Sequence, residues 1–182
     1  MKQAVTKAML WLAQDPRTIF VGQNVCYPGH VVYETVQGIP EAQRLEMPVA
    51  EALQMGVCTG LALAGFIPVC IFPRMDFMLL AMDQLVNHLD KLEEMSQGQF
   101  RPKVIVRTML GNTEPLHPGP QHCQDYSEAF AKILKHIPVF RIHERRDMVD
   151  AGWWPEGWGV RSAYELAVRE SGSCVVVEPA YR

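Results

Sequence analysis

No Gly-x-Gly-x-x-Gly follows a strand-like run in this sequence, and there is no Gly-x4-Gly-Lys-Ser/Thr, His-Glu-x-x-His or Gly-x-Ser-x-Gly. Their absence removes the usual signatures of dinucleotide binding, P-loop nucleotide binding, zinc peptidases and α/β hydrolases. Excess positive charge is missing too: 17 Lys and Arg against 20 Asp and Glu give a formal net charge of −3, with a pI near 6.1. Neither nucleic acid nor an anionic membrane is an expected partner. The five cysteines, Cys26, Cys58, Cys70, Cys123 and Cys174, contain no Cys-x-x-Cys pair. Three of them sit in apolar runs, where a thiol acts as a small hydrophobe, and this usage points to a reducing, cytoplasmic compartment. The first 17 residues lack a long apolar region with a small-residue cleavage site, so no signal peptide is expected. His117, His122 and Cys123 share a loop, but no fourth ligand lies near them in sequence, and no metal site is expected on this chain.

What is present is enough for one domain over residues 1–182. Hydrophobic residues make up 48% and charged residues 20%, and a chain of this length buries roughly two thirds of the surface its unfolded form exposes. Between Glu51 and Arg74 there is no charged residue. By length alone residues 52–73 would span a bilayer, but Gln54, Gly56, Gly60, Gly65 and Pro68 interrupt them. A buried helix followed by a buried strand is the better reading.

The hydrophobic pattern predicts helices over about 3–13, 49–64, 77–95, 125–137 and 160–171. Short apolar runs at 18–22, 67–72, 103–107, 138–142 and 174–178 read as strands buried on both sides, with a very short one at 44–47. Residues 23–43 read as a loop with one helical turn, and 108–124 as a Gly/Pro/His-rich binding loop. Asp125 and Ser127 are positioned to cap the helix that follows. This alternation predicts a three-layer α/β/α fold with a mainly parallel sheet of about six strands. In such sheets ligands bind at the carboxyl ends of the strands. Glu51, the turn from Arg74 to Phe77 and the 108–124 loop can all reach that edge.

The runs PVAEALQMGVCTGLALAGFIPVCIF, MDFMLLAMDQLVN, GQFRPKVIVR, PQHCQ and VVVEP followed by Tyr181 occur in this order. Together they resemble the pyrimidine-binding domain of thiamine-diphosphate-dependent enzymes. The likeness is greatest to the beta subunit of the 2-oxoacid dehydrogenase decarboxylase component, and transketolase is a more distant relative. It covers nearly the whole chain apart from residues 143–159. Glu51 matches the family glutamate that bonds the ring nitrogen of the cofactor's aminopyrimidine. Proton sharing there favours the tautomer whose exocyclic nitrogen takes the proton from the thiazolium carbon. Phe77 matches the aromatic residue that packs on the aminopyrimidine, and His122 matches the histidine that faces the substrate. Cys123 stands where the family commonly has serine, and Gln23 and Asn24 stand where it commonly has an acidic pair. Gln23, Arg74 and Asp76 are candidate substrate contacts; for Arg74 and Asp76 a surface pairing with each other is the alternative.

In that family a separate domain with a Gly-Asp-Gly motif and a downstream Asn holds the diphosphate and its magnesium ion, and neither motif is in this sequence. The dehydrogenase beta subunit also continues into an assembly domain beyond the point where this sequence ends. The resemblance therefore implies a split enzyme in which this chain supplies the pyrimidine-binding half. It further implies thiamine diphosphate as the cofactor, with Mg2+ held by a second subunit in an alpha2beta2 heterotetramer. The implied reaction on a small keto substrate is transketolase-like two-carbon transfer or 2-oxoacid decarboxylation. The alternative is a non-catalytic assembly or regulatory subunit, for which Trp153, Trp154 and Trp158 would form an interface. Retention of Glu51, Phe77 and His122 together favours catalysis.

Overall fold

Six short strands form one sheet: β1 (Thr18–Gly22), β2 (Arg44–Glu46), β3 (Ile67–Phe72), β4 (Ile105–Met109), β5 (Val139–Arg141) and β6 (Cys174–Glu178); the apolar residues of all but β2, an edge strand whose Leu45 is exposed, are mostly buried. All pairings are parallel, in the order β2-β1-β3-β4-β6-β5. The computed structural model describes residues 1–114, 117–142 and 159–180. The tryptophan-rich stretch 143–158 and Tyr181 lie outside the described residues.

The helices are α1 (Lys2–Leu12), α2 (Val31–Val36), α3 (Glu51–Leu63), α4 (Met75–Met78), α5 (Leu92–Met95), α6 (Ser127–Ile133) and α7 (Val160–Arg169). Side chains alternate across the strands and so feed two cores. Phe20, Val69, Ile71, Ile105 and Val176 pack with α1, α2 and α7 on one face. Val21, Cys70, Phe72, Val106, Val175 and Val177 pack with α3, α4, α6 and Leu85 and Leu89 on the other. The expected three-layer α/β/α arrangement with six strands is thus present. Residues 52–73 are the remainder of a helix and a strand, and no helix among the described residues is long and apolar enough to cross a membrane.

The expected helix over 77–95 is not continuous. α4 passes into a 3-10 turn at Leu79–Ala81 and then a wide π-helical segment at Asp83–Leu89, before α5. In the wide segment the Asp90 N–H reaches back five residues to the Leu85 carbonyl at 2.9 Å. A five-residue turn aligns positions 85 and 90, so Leu85, Leu89 and Asp90 are all buried. Asp90 accepts hydrogen bonds from the backbone N–H groups of Lys135, His136 and Ile137 at 2.8–3.1 Å. Those donors also explain why α6 ends at Ile133 rather than near 137: the chain has left the helix to meet the carboxylate. β4 likewise lies two residues later than the apolar run suggested. Lys103 is held by the Ala167 and Glu170 carbonyls at the end of α7, and pairing with β3 begins at Ile105.

Candidate functional site

The carboxyl ends of β1 and β3 carry most of the residues singled out in the sequence. β1 closes on Gly22, where a Cβ would lie 2.6 Å from the Ile71 carbonyl oxygen, so the strands are too close there for any larger residue. The chain then turns through Asn24 with φ of 59°. Glu46, at the end of β2, accepts the backbone N–H groups of Asn24 at 2.6 Å and of Val25 and Cys26 at 2.8 Å. One carboxylate therefore ties down the whole turn. This places Gln23 beside Glu51, with Gln23 Nε2 donating to Glu51 Oε1 at 3.4 Å.

Glu51 is the first residue of α3, where a negative charge complements the helix dipole. It is 5% exposed. Its side-chain hydrogen bond from Gln23 is long for N–H to O, which leaves acceptor capacity on a carboxylate that is nearly enclosed. This arrangement suits a ligand carrying a ring nitrogen or another N–H group.

At the end of β3, Arg74 Nη1 donates to the His122 carbonyl at 3.1 Å, and Asp76 Oδ1 accepts the Gln124 N–H at 3.3 Å. No ion pair between Arg74 and Asp76 occurs among the described residues. The Phe77 and His122 rings meet edge to face, with centroids 5.6 Å apart and planes at 87°. A perpendicular contact engages at most one face of Phe77, and the ring is only partly buried. His122 and Phe77, 45 positions apart in sequence, are thus brought into contact. Cys123 bonds within its own loop: its thiol donates to the Gly119 carbonyl at 3.2 Å, and its sulfur lies 3.6 Å from His117 Nε2. No group of three or more His, Cys, Asp or Glu side chains suited to a metal ion occurs among the described residues.

Three features of this edge were not anticipated from sequence. The first is Glu46, which nothing in RLEM distinguishes from a surface glutamate. The second is His30 at the start of α2, whose Nδ1 accepts the Val32 N–H at 3.1 Å and which therefore carries its proton on Nε2 when neutral. Burial, then the positive charge of Arg74, push this imidazole below its ordinary value; Arg107 adds to the effect and Glu34 opposes it. The third is a wholly buried network where β4 and β6 end. Arg107 Nε and Nη2 bind the two Glu178 carboxylate oxygens at 3.0 and 3.1 Å, Arg107 Nη1 reaches Thr35 Oγ1 at 3.0 Å, and Tyr164 donates to Glu178. Charged residues inside otherwise apolar runs, KVIVR and CVVVE, were the available signal.

No protein-family model matches the chain. Similar proteins are nevertheless found. Over 158 residues, 84% of the chain, it is 34% identical to the 3-methyl-2-oxobutanoate dehydrogenase subunit beta of Mycobacterium tuberculosis, covering 43% of that protein. Over 172 residues it is 27% identical to the mitochondrial pyruvate dehydrogenase E1 component subunit beta of Drosophila melanogaster, covering 92% of the chain and 42% of the relative. The chain thus spans somewhat less than half the length of these relatives. Among solved structures, a split-gene transketolase described as an inactive beta4 tetramer superposes with a TM-score of 0.67 at 17% identity, over 96% of this chain and 49% of the other. That likeness is one of fold.

Proposed function

From a chain homologous to the beta subunits of 2-oxoacid dehydrogenases, we propose the pyrimidine-binding subunit of a split thiamine-diphosphate-dependent enzyme. The observation that carries this reading is Glu51: a nearly enclosed carboxylate at the strand edge of the right fold, held toward Gln23 and short of hydrogen bonds. The whole chain acts as one pyrimidine-binding domain, and the relatives' description as beta subunits supports a second subunit. That subunit holds the diphosphate and Mg2+, and the assembly is an alpha2beta2 heterotetramer. We place it in the cytoplasm on its five free cysteines, although the fly relative is mitochondrial.

Glu51 and Phe77 would hold the aminopyrimidine of thiamine diphosphate, which when bound would supply the nucleophilic carbon and electron sink for chemistry next to a carbonyl. Glu51 accepts and shares a proton at the pyrimidine ring nitrogen, and Gln23 orients that carboxylate. Phe77 packs on the pyrimidine and keeps water away from it. His122, in contact with Phe77, faces the substrate oxygen and exchanges a proton with it. Arg74, Asp76 and Gln23 stand at the substrate mouth. Transketolase-like two-carbon transfer and 2-oxoacid decarboxylation both use this set.

Calorimetry of the full chain with its co-purifying partner tests the reading. Tight binding of thiamine diphosphate is expected only when the partner and Mg2+ are both present, and equally tight binding by this chain alone would overturn the split site. In the reconstituted enzyme Glu51→Gln should leave assembly intact and lower turnover by about 100-fold or more, as loss of a general acid–base group does.

A further inference from the structure

The turn that leaves β3 touches the segment carrying His122 through four consecutive residues. Arg74 Nη1 donates to the His122 carbonyl at 3.1 Å, and Met75 Sδ accepts the Tyr126 N–H at 3.4 Å. Asp76 Oδ1 takes the Gln124 N–H at 3.3 Å, and the Phe77 ring stands perpendicular to the imidazole. The other wall of this contact is the exit from β4. At Gly111 a Cβ would lie 1.8 Å from the His122 carbonyl oxygen and 2.7 Å from Arg74 Nη1. The carbonyl therefore occupies a slot between a bare Cα and a guanidinium, with no room for a side chain.

We propose that Arg74 is a positioning residue for His122: its guanidinium, with Gly111 opposite, fixes the backbone on which the imidazole stands against Phe77. A loop carbonyl drawn in from solvent needs a donor. A cationic donor makes a stronger bond than a neutral one, and the planar guanidinium is pre-shaped for it. Asp76 does for the Gln124 N–H what Arg74 does for the His122 carbonyl, so the same turn grips donor and acceptor groups two residues apart. Without Arg74 the His122 carbonyl loses its cationic donor, and the bonds at Gln124 and Tyr126 hold the chain only two and four residues further on, while the edge-to-face Phe77 contact is a weak constraint on backbone position. The role assigned to Arg74 rests on the thiamine-diphosphate reading only for what His122 does, and not for where His122 is held.

The two ideas are separable by experiment. Imidazole nitrogen–proton correlation spectra of the full chain, without cofactor, report the His122 ring directly, its signals being those lost in His122→Gln. Arg74→Met should shift or broaden them while His88 and His136 keep theirs, and Gly111→Ala should do the same from the opposite wall. A folded Arg74→Met with unmoved His122 signals overturns the proposal; if that variant does not fold, unmoved signals in Gly111→Ala overturn it instead. In the reconstituted holoenzyme, Arg74→Met should lower kcat about 10-fold with KM changed less than about 3-fold. A rise in KM at constant kcat would make Arg74 a substrate contact and remove the positioning role. Should no partner and no thiamine diphosphate ever bind, the functional reading falls while the spectra still decide the question of Arg74.

Discussion

Arg107 and Glu178 are the two ends of a fork-to-fork ion pair with no exposed surface, reinforced by Thr35 and Tyr164. A pair so deeply buried has given up much hydration, and its attraction does little more than offset that loss; removing one partner is what costs stability. Arg107→Met should destabilise the chain by about 3–5 kcal/mol, because the buried Glu178 carboxylate then loses the Arg107 fork that both its oxygens bind. Adding Glu178→Leu should recover part of that loss. Urea unfolding of the single and double variants checks both, and additive losses would mean that the residues do not act as a pair. The pair stands where β4 and β6 deliver their loops, which gives it a second effect: it anchors the start of the segment that runs through Gly111 to His122.

At the scale of elements, the interrupted helix after β3 is the instructive case. A regular helix would have left Asp90 facing partly away from the core, whereas the wide turn brings it under the backbone of residues 135–137. Burial alone would raise the Asp90 pKa. Hydrogen bonds from Lys91 and from the His136, Lys135 and Ile137 N–H groups outweigh that, and the net shift is below the ordinary value of 3.8. A carboxyl depressed in the folded state contributes stability that is fully present above its unfolded pKa and is lost as pH falls through its lower folded value. The wild-type urea midpoint should therefore hold above about pH 5 and decline as pH drops below about 4, the usual range of an unfolded Asp. Asp90→Asn should start lower at pH 7 and show a shallower acid decline. An identical acid slope in both proteins would sink this account of Asp90. The turn after β1 depends in the same way on Glu46. Glu46→Gln keeps one acceptor oxygen but puts an NH2 where the other stood, so at least one of the three backbone N–H groups faces a donor, and the change should cost about 1–3 kcal/mol. Unchanged stability, read by urea unfolding, would mean that the turn has other support.

For the molecule as a whole, the proposed assignment makes stability depend on a second chain. Ligand that binds only the native assembly stabilises it by about 2.7 kcal/mol at 100 times its Kd. Thermal unfolding of the chain alone should be insensitive to thiamine diphosphate and Mg2+, whereas the assembled enzyme should unfold at higher temperature in their presence. A cofactor-dependent rise in the isolated chain would place the diphosphate half within it.

The layered fold was legible because burial of apolar runs is a local property of the chain. TIFVG, IPVCIF and CVVVE are each strands with the bounds their hydrophobicity marks, and the helices between them leave a parallel sheet as the way to cover both faces. The placement of Glu51 and Phe77 at the carboxyl edge was legible too, since each follows closely on a strand or opens a helix there, while the roles proposed for them come from the family resemblance. What the sequence could not provide was pairing between polar groups far apart along it. The Glu46 grip on residues 24–26, the Arg74 bond to His122, the Arg107–Glu178 fork and the wide turn under Asp90 all depend on strand register and on how one loop lies against another. By itself, then, the sequence determined the layers, the carboxyl edge to which the proposed site belongs and the residue types available there. Tertiary structure alone decided which of those residues hold one another, because hydrogen bonds act over about 3 Å and only packing brings their partners that close.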